Sequence, residues 1–260
     1  MKVLIFDDAE RATARAAQIV VAAVTARPDT VLGLATGGTM RPLYAQLVAA
    51  HKAGAVGFSR VTTFNLDEYI GLSPDHPCSY HAYMRTALFD HVDIDSARTH
   101  LPRGDSADPV AESQRYEALI AACGGIDLQV LGIGQNGHIG FNEPTSSLGS
   151  RTRIKTLTAS TRAANAGYFD RAEDIPAHAI TMGIRTILEA RHCLLLATGA
   201  AKAPAVAAMV EGPLTAACPA SALQMHPAAT VVLDHDAARD LRLHDYYHHV
   251  HPRGAPSVWC

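Results

Sequence analysis

Apolar positions along this chain follow two alternating rhythms. Short, nearly continuous apolar runs occupy 3–6, 31–35, 61–64, 128–131, 193–197 and 230–233. Each has the length and composition of a strand buried on both faces. Between them the spacing becomes helical. Ala16, Ile19, Val20, Ala23 and Val24 predict a helix from Ala9 to Ala26, closed by Pro28. Tyr44, Leu47 and Val48 mark one face of a helix over 41–53. Ser79 reads as the N-cap of a helix through Tyr80, Tyr83, Leu88 and Phe89, and a further helix is expected over 109–122. The stretch 150–157 alternates basic and apolar residues, as an exposed strand would, and 179–182 is apolar ahead of a short helix.

Strands that alternate with helices in this way predict a mostly parallel sheet covered on both faces. The expected fold is therefore α/β, an open, Rossmann-like sheet in a single domain over 1–260. Composition agrees with a globular chain: of 260 residues, 48% are hydrophobic and 18% charged. A net charge of -3 gives no reason to expect nucleic acid or an acidic membrane as partner. No apolar run reaches the length of a membrane span, and the first residues lack a signal-peptide layout. Cys78, Cys123, Cys193, Cys218 and Cys260 are scattered without a CxxC, so reduced thiols and a cytoplasmic location are expected. The histidine-rich stretch 244–252 has no zinc-site spacing and reads as surface, and no metal is expected.

Candidate chemistry sits where strands end. Thr36-Gly37-Gly38-Thr39 lies between a strand and a helix, either a tight turn or a phosphate cradle built from free N–H groups at a helix terminus. Asp67 and Glu68 follow the third strand; such acids act as a general base, cap a helix or pair with a basic residue. After 128–131 come Gly132, Gly134, Gly137 and Gly140, too dense for any packed element interior. This loop carries His138 and Glu143, with Asn136 and Asn142 beside them. The alternatives are a plain glycine-rich turn or a histidine whose tautomer and basicity a carboxylate controls. Lys202 follows another glycine turn, where its ammonium can reach a phosphate. All four turns follow strands directly, so they are expected to gather on one edge of the sheet.

With these turns in view, the chain resembles the glucosamine-6-phosphate deaminase family. The matching text is ATGGT (35–39), FNLDEY (64–69), HPCSYHAYM (76–84), GIGQNGHIGFNEP (132–144), SRTRIKTL (150–157) and ATGAAK (197–202). The resemblance implies conversion of glucosamine 6-phosphate and water to fructose 6-phosphate and ammonia, with no cofactor. It implies Asp67 as the base for the C2 proton, His138 as the ring-opening acid and base, Glu143 as its partner and Asn136 as an orienting group. Thr36, Gly37, Gly38, Thr39 and Lys202 would hold the substrate phosphate. Ser146, Ser147, Arg153, Lys155 and Thr156 match a site at which N-acetylglucosamine 6-phosphate activates hexameric members, so a homo-oligomer is expected.

Two departures stand out. Asn136 replaces an aspartate found in some members. Gly167 occupies a position where the family usually has a phosphate-gripping arginine, with Arg162 and Arg171 as possible replacements. Rival readings are a deaminase for galactosamine 6-phosphate or an unphosphorylated aminosugar, a 6-phosphogluconolactonase, and a non-catalytic phosphosugar sensor. The lactonase needs no paired enolisation base, so FNLDEY together with GHIGFNEP argues against it. A related effector-binding domain of a transcription regulator would require a helix-turn-helix, for which the expected first strand at Val3 leaves no room.

Overall fold

The computed structural model describes residues 1–169, 171 and 174–252; Cys260 and the end of the expected 1–260 domain lie outside them. Seven strands form the main sheet: β1 (Lys2–Phe6), β2 (Val31–Leu34), β3 (Thr62–Asn65), β5 (Thr99–His100), β6 (Leu128–Leu131), β9 (His192–Ala197) and β10 (Ala229–Asp234). Their order is β1-β10-β9-β6-β2-β3-β5, and every pairing is parallel. Strands β2, β6 and β10 are buried at every position and β9 at all but its first, His192, because helices cover both faces. The main helices are α1 (Ala9–Ala26), α2 (Met40–Lys52), α3 (Tyr80–Ala87), α4 (Pro109–Ala122) and α7 (Ala203–Val210).

From β2 the chain moves outward to β3 and β5, then returns to place β6 on the other side of β2. The order reverses between β2 and β6. A crevice opens at such a point, because the connections leave the two strand ends in opposite directions. The TGGT turn and the glycine-rich loop are the segments that leave β2 and β6.

A second, smaller sheet accompanies the expected one, and the sequence did not reveal it. Strands β4 (Asp67–Tyr69), β8 (His178–Thr181) and β7 (Arg153–Thr156) form a three-stranded antiparallel sheet in the order β4-β8-β7. Leu66 joins the two sheets. Its N–H donates to Leu34 of the main sheet at 3.0 Å, and its carbonyl accepts from Met182 beside β8 at 2.7 Å. Asp67 therefore stands at a seam. A three-residue strand is too short to display a period, which is why the pattern at 67–69 read as a turn.

The connection over 102–108 is also tied down. Gly71 donates to the Gly104 carbonyl at 2.8 Å, and a Cβ at Gly104 would lie 2.0 Å from the Tyr69 carbonyl oxygen. Only glycine permits that approach. Among the described residues the cysteines form no disulfide, and no helix is long and apolar enough to cross a membrane. No group of three or more metal-ligating side chains is placed to hold an ion among them.

Candidate active site

The four strand-end turns converge on one cavity of about 310 Å³. Thr36, Gly37, Gly38, Thr39, Asp67, Asn136, His138 and Lys202 all line it. Glu143 lies just behind His138 and is 2% exposed. The expected gathering of turns on one edge is what the fold produces.

One part of the wall is the first turn of α2. Side-chain oxygens cap α1, α3 and α4, those of Asp8, Ser79 and Asp108. Thr39, the N-cap of α2, makes no such bond. The positive end of α2 is thus left for a ligand. The Lys202 ammonium donates to the Ile133 carbonyl at 2.7 Å, and burial lowers its pKa. Among the described residues lining the cavity it is the one lysine or arginine. Arg162 instead donates to the Ile175 carbonyl at 3.2 Å, and Arg171 pairs with Asp174 at 2.8 Å. A Cβ at Gly167 would meet nothing within 4 Å.

Another part of the wall is the glycine-rich loop. A Cβ at Gly134 would lie 2.3 Å from the His138 ring, so glycine there is what lets the imidazole fold back over its own loop. His138 Nδ1 faces Glu143 Oε2 at 3.4 Å, longer than an ordinary hydrogen bond. Asn136 Nδ2 donates to the same Oε2 at 2.8 Å, and the Thr161 hydroxyl donates to Oε1. Burial pushes the Glu143 carboxyl up, but His138, Thr161 and Asn136 outweigh it and bring the pKa down to about 2. Glu143 is a fixed anion behind the histidine.

Asp67 faces the same cavity and has the opposite character. Burial and the neighbouring Glu68 raise its pKa to about 8, against the pull of the Thr181 hydroxyl and the Phe141 N–H. A carboxylic acid in this state is a weakly ionised proton carrier at neutral pH, suited to taking up and returning a proton.

Tyr80, Ser160, Thr161 and Asn165 also line the cavity, and sequence reading assigned them no part. Tyr80 stood inside a matching segment, but nothing about a tyrosine one residue past an N-cap points to a cavity. Thr161 belongs to α5 (Ala159–Asn165), which reaches the site only through tertiary packing.

The residues of the expected activator site are spread over β7 and the loop before it. Arg153 and Lys155 are half-buried on one face, while Thr156 is exposed on the other, beside Ile154. Arg153 donates to Asn142 Oδ1 at 2.7 Å, next to Glu143. Ser146 is buried with its hydroxyl unpartnered, and Ser147 is exposed.

Comparison with known proteins agrees with this geometry. Residues 7–232 match the model of the family described as glucosamine-6-phosphate isomerases/6-phosphogluconolactonase. The glucosamine-6-phosphate deaminase of Hahella chejuensis is 56% identical over 247 residues, 95% of this chain and 94% of that protein. That of Shewanella loihica is 54% identical over 250 residues, covering 96% and 93%. A solved structure of a monomeric glucosamine-6-phosphate deaminase superposes with a TM-score of 0.91 at 47% identity, covering 92% of this chain and 100% of that one. With matching turns, a matching sheet and identity above half over almost its whole length, the chain belongs to the glucosamine-6-phosphate isomerase/6-phosphogluconolactonase family.

Proposed function

We propose that this protein is a glucosamine-6-phosphate deaminase, which converts glucosamine 6-phosphate and water to fructose 6-phosphate and ammonia. The observation that carries the reading is that Asp67 and His138 line one cavity together with an uncapped helix terminus and Lys202. The deaminase relatives at more than half identity support it.

The phosphate sits on the 36–39 turn and Lys202, which leaves the sugar between the two proton handlers. His138, with Glu143 behind it, moves a proton from the C1 hydroxyl to the ring oxygen and opens the ring. Asp67 removes the C2 proton and returns it to C1, while the C1 oxygen takes up the proton that the substrate ammonium gives up, which leaves an iminium at C2 and a hydroxyl at C1. Water adds at C2 and ammonia departs. Each proton handler contributes about 10²–10⁴-fold. Asp67 must be ionised for its step, and the substrate's own ammonium beside it favours the carboxylate. A sugar phosphate without the amine lacks that help.

The test is ammonia release and fructose 6-phosphate formation from purified protein. Glucosamine 6-phosphate is run beside galactosamine 6-phosphate and unphosphorylated glucosamine. Turnover of the first alone supports the reading. Turnover of another aminosugar instead supports the alternative that Gly167 and a single lysine favour, a changed substrate. Phosphosugar binding without any turnover supports the sensor.

Activation by N-acetylglucosamine 6-phosphate is the finer part of the proposal. Its support is the Arg153–Asn142 bond, through which an anion held by Arg153 and Lys155 would act on the loop of Glu143. Sedimentation and assay with the activator test it together: a monomer indifferent to the compound ends this part.

A further inference from the structure

Glu68 is chemically conspicuous and has no part in the steps above. It is 0% exposed and directly follows Asp67. Successive side chains on a strand point to opposite sides, so Asp67 reaches the cavity while Glu68 turns into the protein. There its carboxylate is surrounded by donors. Oε1 accepts the N–H of Tyr69 at 2.8 Å and of Tyr80 at 3.0 Å. Oε2 accepts the N–H of His81 at 3.0 Å and meets His81 Nδ1 at 2.8 Å.

Tyr80 and His81 are the first two residues of α3. Glu68 therefore ties down their N–H groups while Ser79 holds that of Ala82 at 3.0 Å. An anion at a helix N-terminus is well placed. The same bonds lock a cavity wall, because the Tyr80 side chain lines the site that Asp67 faces. His81 keeps about a fifth of its side chain in solvent (21%), so it joins this buried carboxylate to the surface.

We propose that Glu68 and His81 form a positioning pair for the reaction, which holds α3 and its Tyr80 in register with the strand that carries Asp67. The pair also acts through charge. Glu68 stands next to Asp67 and opposes its ionisation. The other groups facing Asp67 are Thr181 from β8, Phe141 N–H from the glycine-rich loop, Tyr80 from α3 and Tyr116 from α4. Arg103 and Asp105, on the loop packed against Glu68, pair with each other at 4.0 Å. None of these side chains bonds Glu68; among the described residues His81 is the side chain that does.

The inference rests on the deaminase reading, so wild-type turnover is measured first. Absence of ammonia release removes that reading. In an active enzyme, Glu68→Gln is expected to lower kcat about 10–100-fold with KM within about 3-fold. Loss of the negative neighbour should also move the acid limb of kcat/KM to lower pH by about one unit. His81→Ala is expected to lower kcat about 3–10-fold, and His81→Gln, which can still donate to Glu68, should recover most of it. A Glu68→Gln enzyme that folds but keeps its acid limb in place overturns the pair. So does equal behaviour of His81→Ala and His81→Gln. If Glu68→Gln does not fold, the two His81 variants decide by themselves.

Discussion

Two parts of the cavity lining are built on different principles. The proton-handling part is densely wired: Glu143 is held by Asn136 and Thr161 and faces His138, while Asp67 is enclosed by Thr181, Phe141 and Glu68. The anion part is sparse, with an uncapped helix terminus and one lysine among the described lining residues. Within the wired part, two buried carboxylates diverge, with pKa values of about 8 for Asp67 and about 2 for Glu143. The outcomes are opposite because Asp67 is the more fully desolvated and because a carboxylate responds to the charges and donors left beside it. Asp67 meets another acid, whereas Glu143 meets a histidine, an amide and a hydroxyl. On the proposed reading, wiring serves kcat and loose anion contacts serve KM.

Asp67→Asn tests that division most severely. It should cost about 10³–10⁴-fold in kcat with little change in KM. The same variant should be the more stable protein at pH 8. Because the folded Asp67 holds its proton up to about pH 8, its stabilising contribution is present at acid pH and is lost as pH rises from about 4 through 8. Thermal melts should give Asp67→Asn an advantage of about 2–6 °C at pH 8 that vanishes near pH 4. An Asp67→Asn enzyme that keeps its activity would end the assignment of the base.

Glu143→Gln comes next, with kcat lower by about 10–100-fold because His138 loses the anion that supports its proton transfers. Its linkage has the opposite sign. A carboxyl depressed to about 2 contributes stability above the ordinary range near 4.5, and that contribution disappears as pH falls through 2. Wild type should exceed Glu143→Gln in melting temperature at pH 7 and converge with it in strong acid.

Lys202→Ala should move the other parameter. Loss of a charged contact worth about 1.5–3 kcal/mol raises KM for the phosphorylated substrate about 10–100-fold. Turnover number should stay within a few-fold, and inhibition by inorganic phosphate should weaken in parallel.

The smallest effect sharpens the comparison from the opposite direction. Gly167→Arg adds a cation where a side chain meets open space, and KM for glucosamine 6-phosphate should fall about 3–10-fold. A KM that does not move would mean that the cradle and Lys202 already suffice.

Much of this was legible in the residues. Ala9–Ala26 and Pro109–Ala122 appear as helices at the boundaries their spacing and caps predict, because long periodic segments with N-cap residues carry their own instructions. The parallel strands were legible for a related reason: burial on both faces demands unbroken apolar runs, and the topology then brings their trailing turns to one edge.

The sequence by itself thus determined the α/β layering and the turns that meet. Tertiary structure alone decided the seam at Leu66, the antiparallel sheet that presents Asp67, and the opposite charge environments of Asp67 and Glu143. It also decided that Glu68 faces inward to α3 while its neighbour faces the cavity. The physical reason is range. Periodicity and capping act over a few residues, whereas a three-residue strand, a buried charge and a helix terminus acquire their roles from partners distant in the chain.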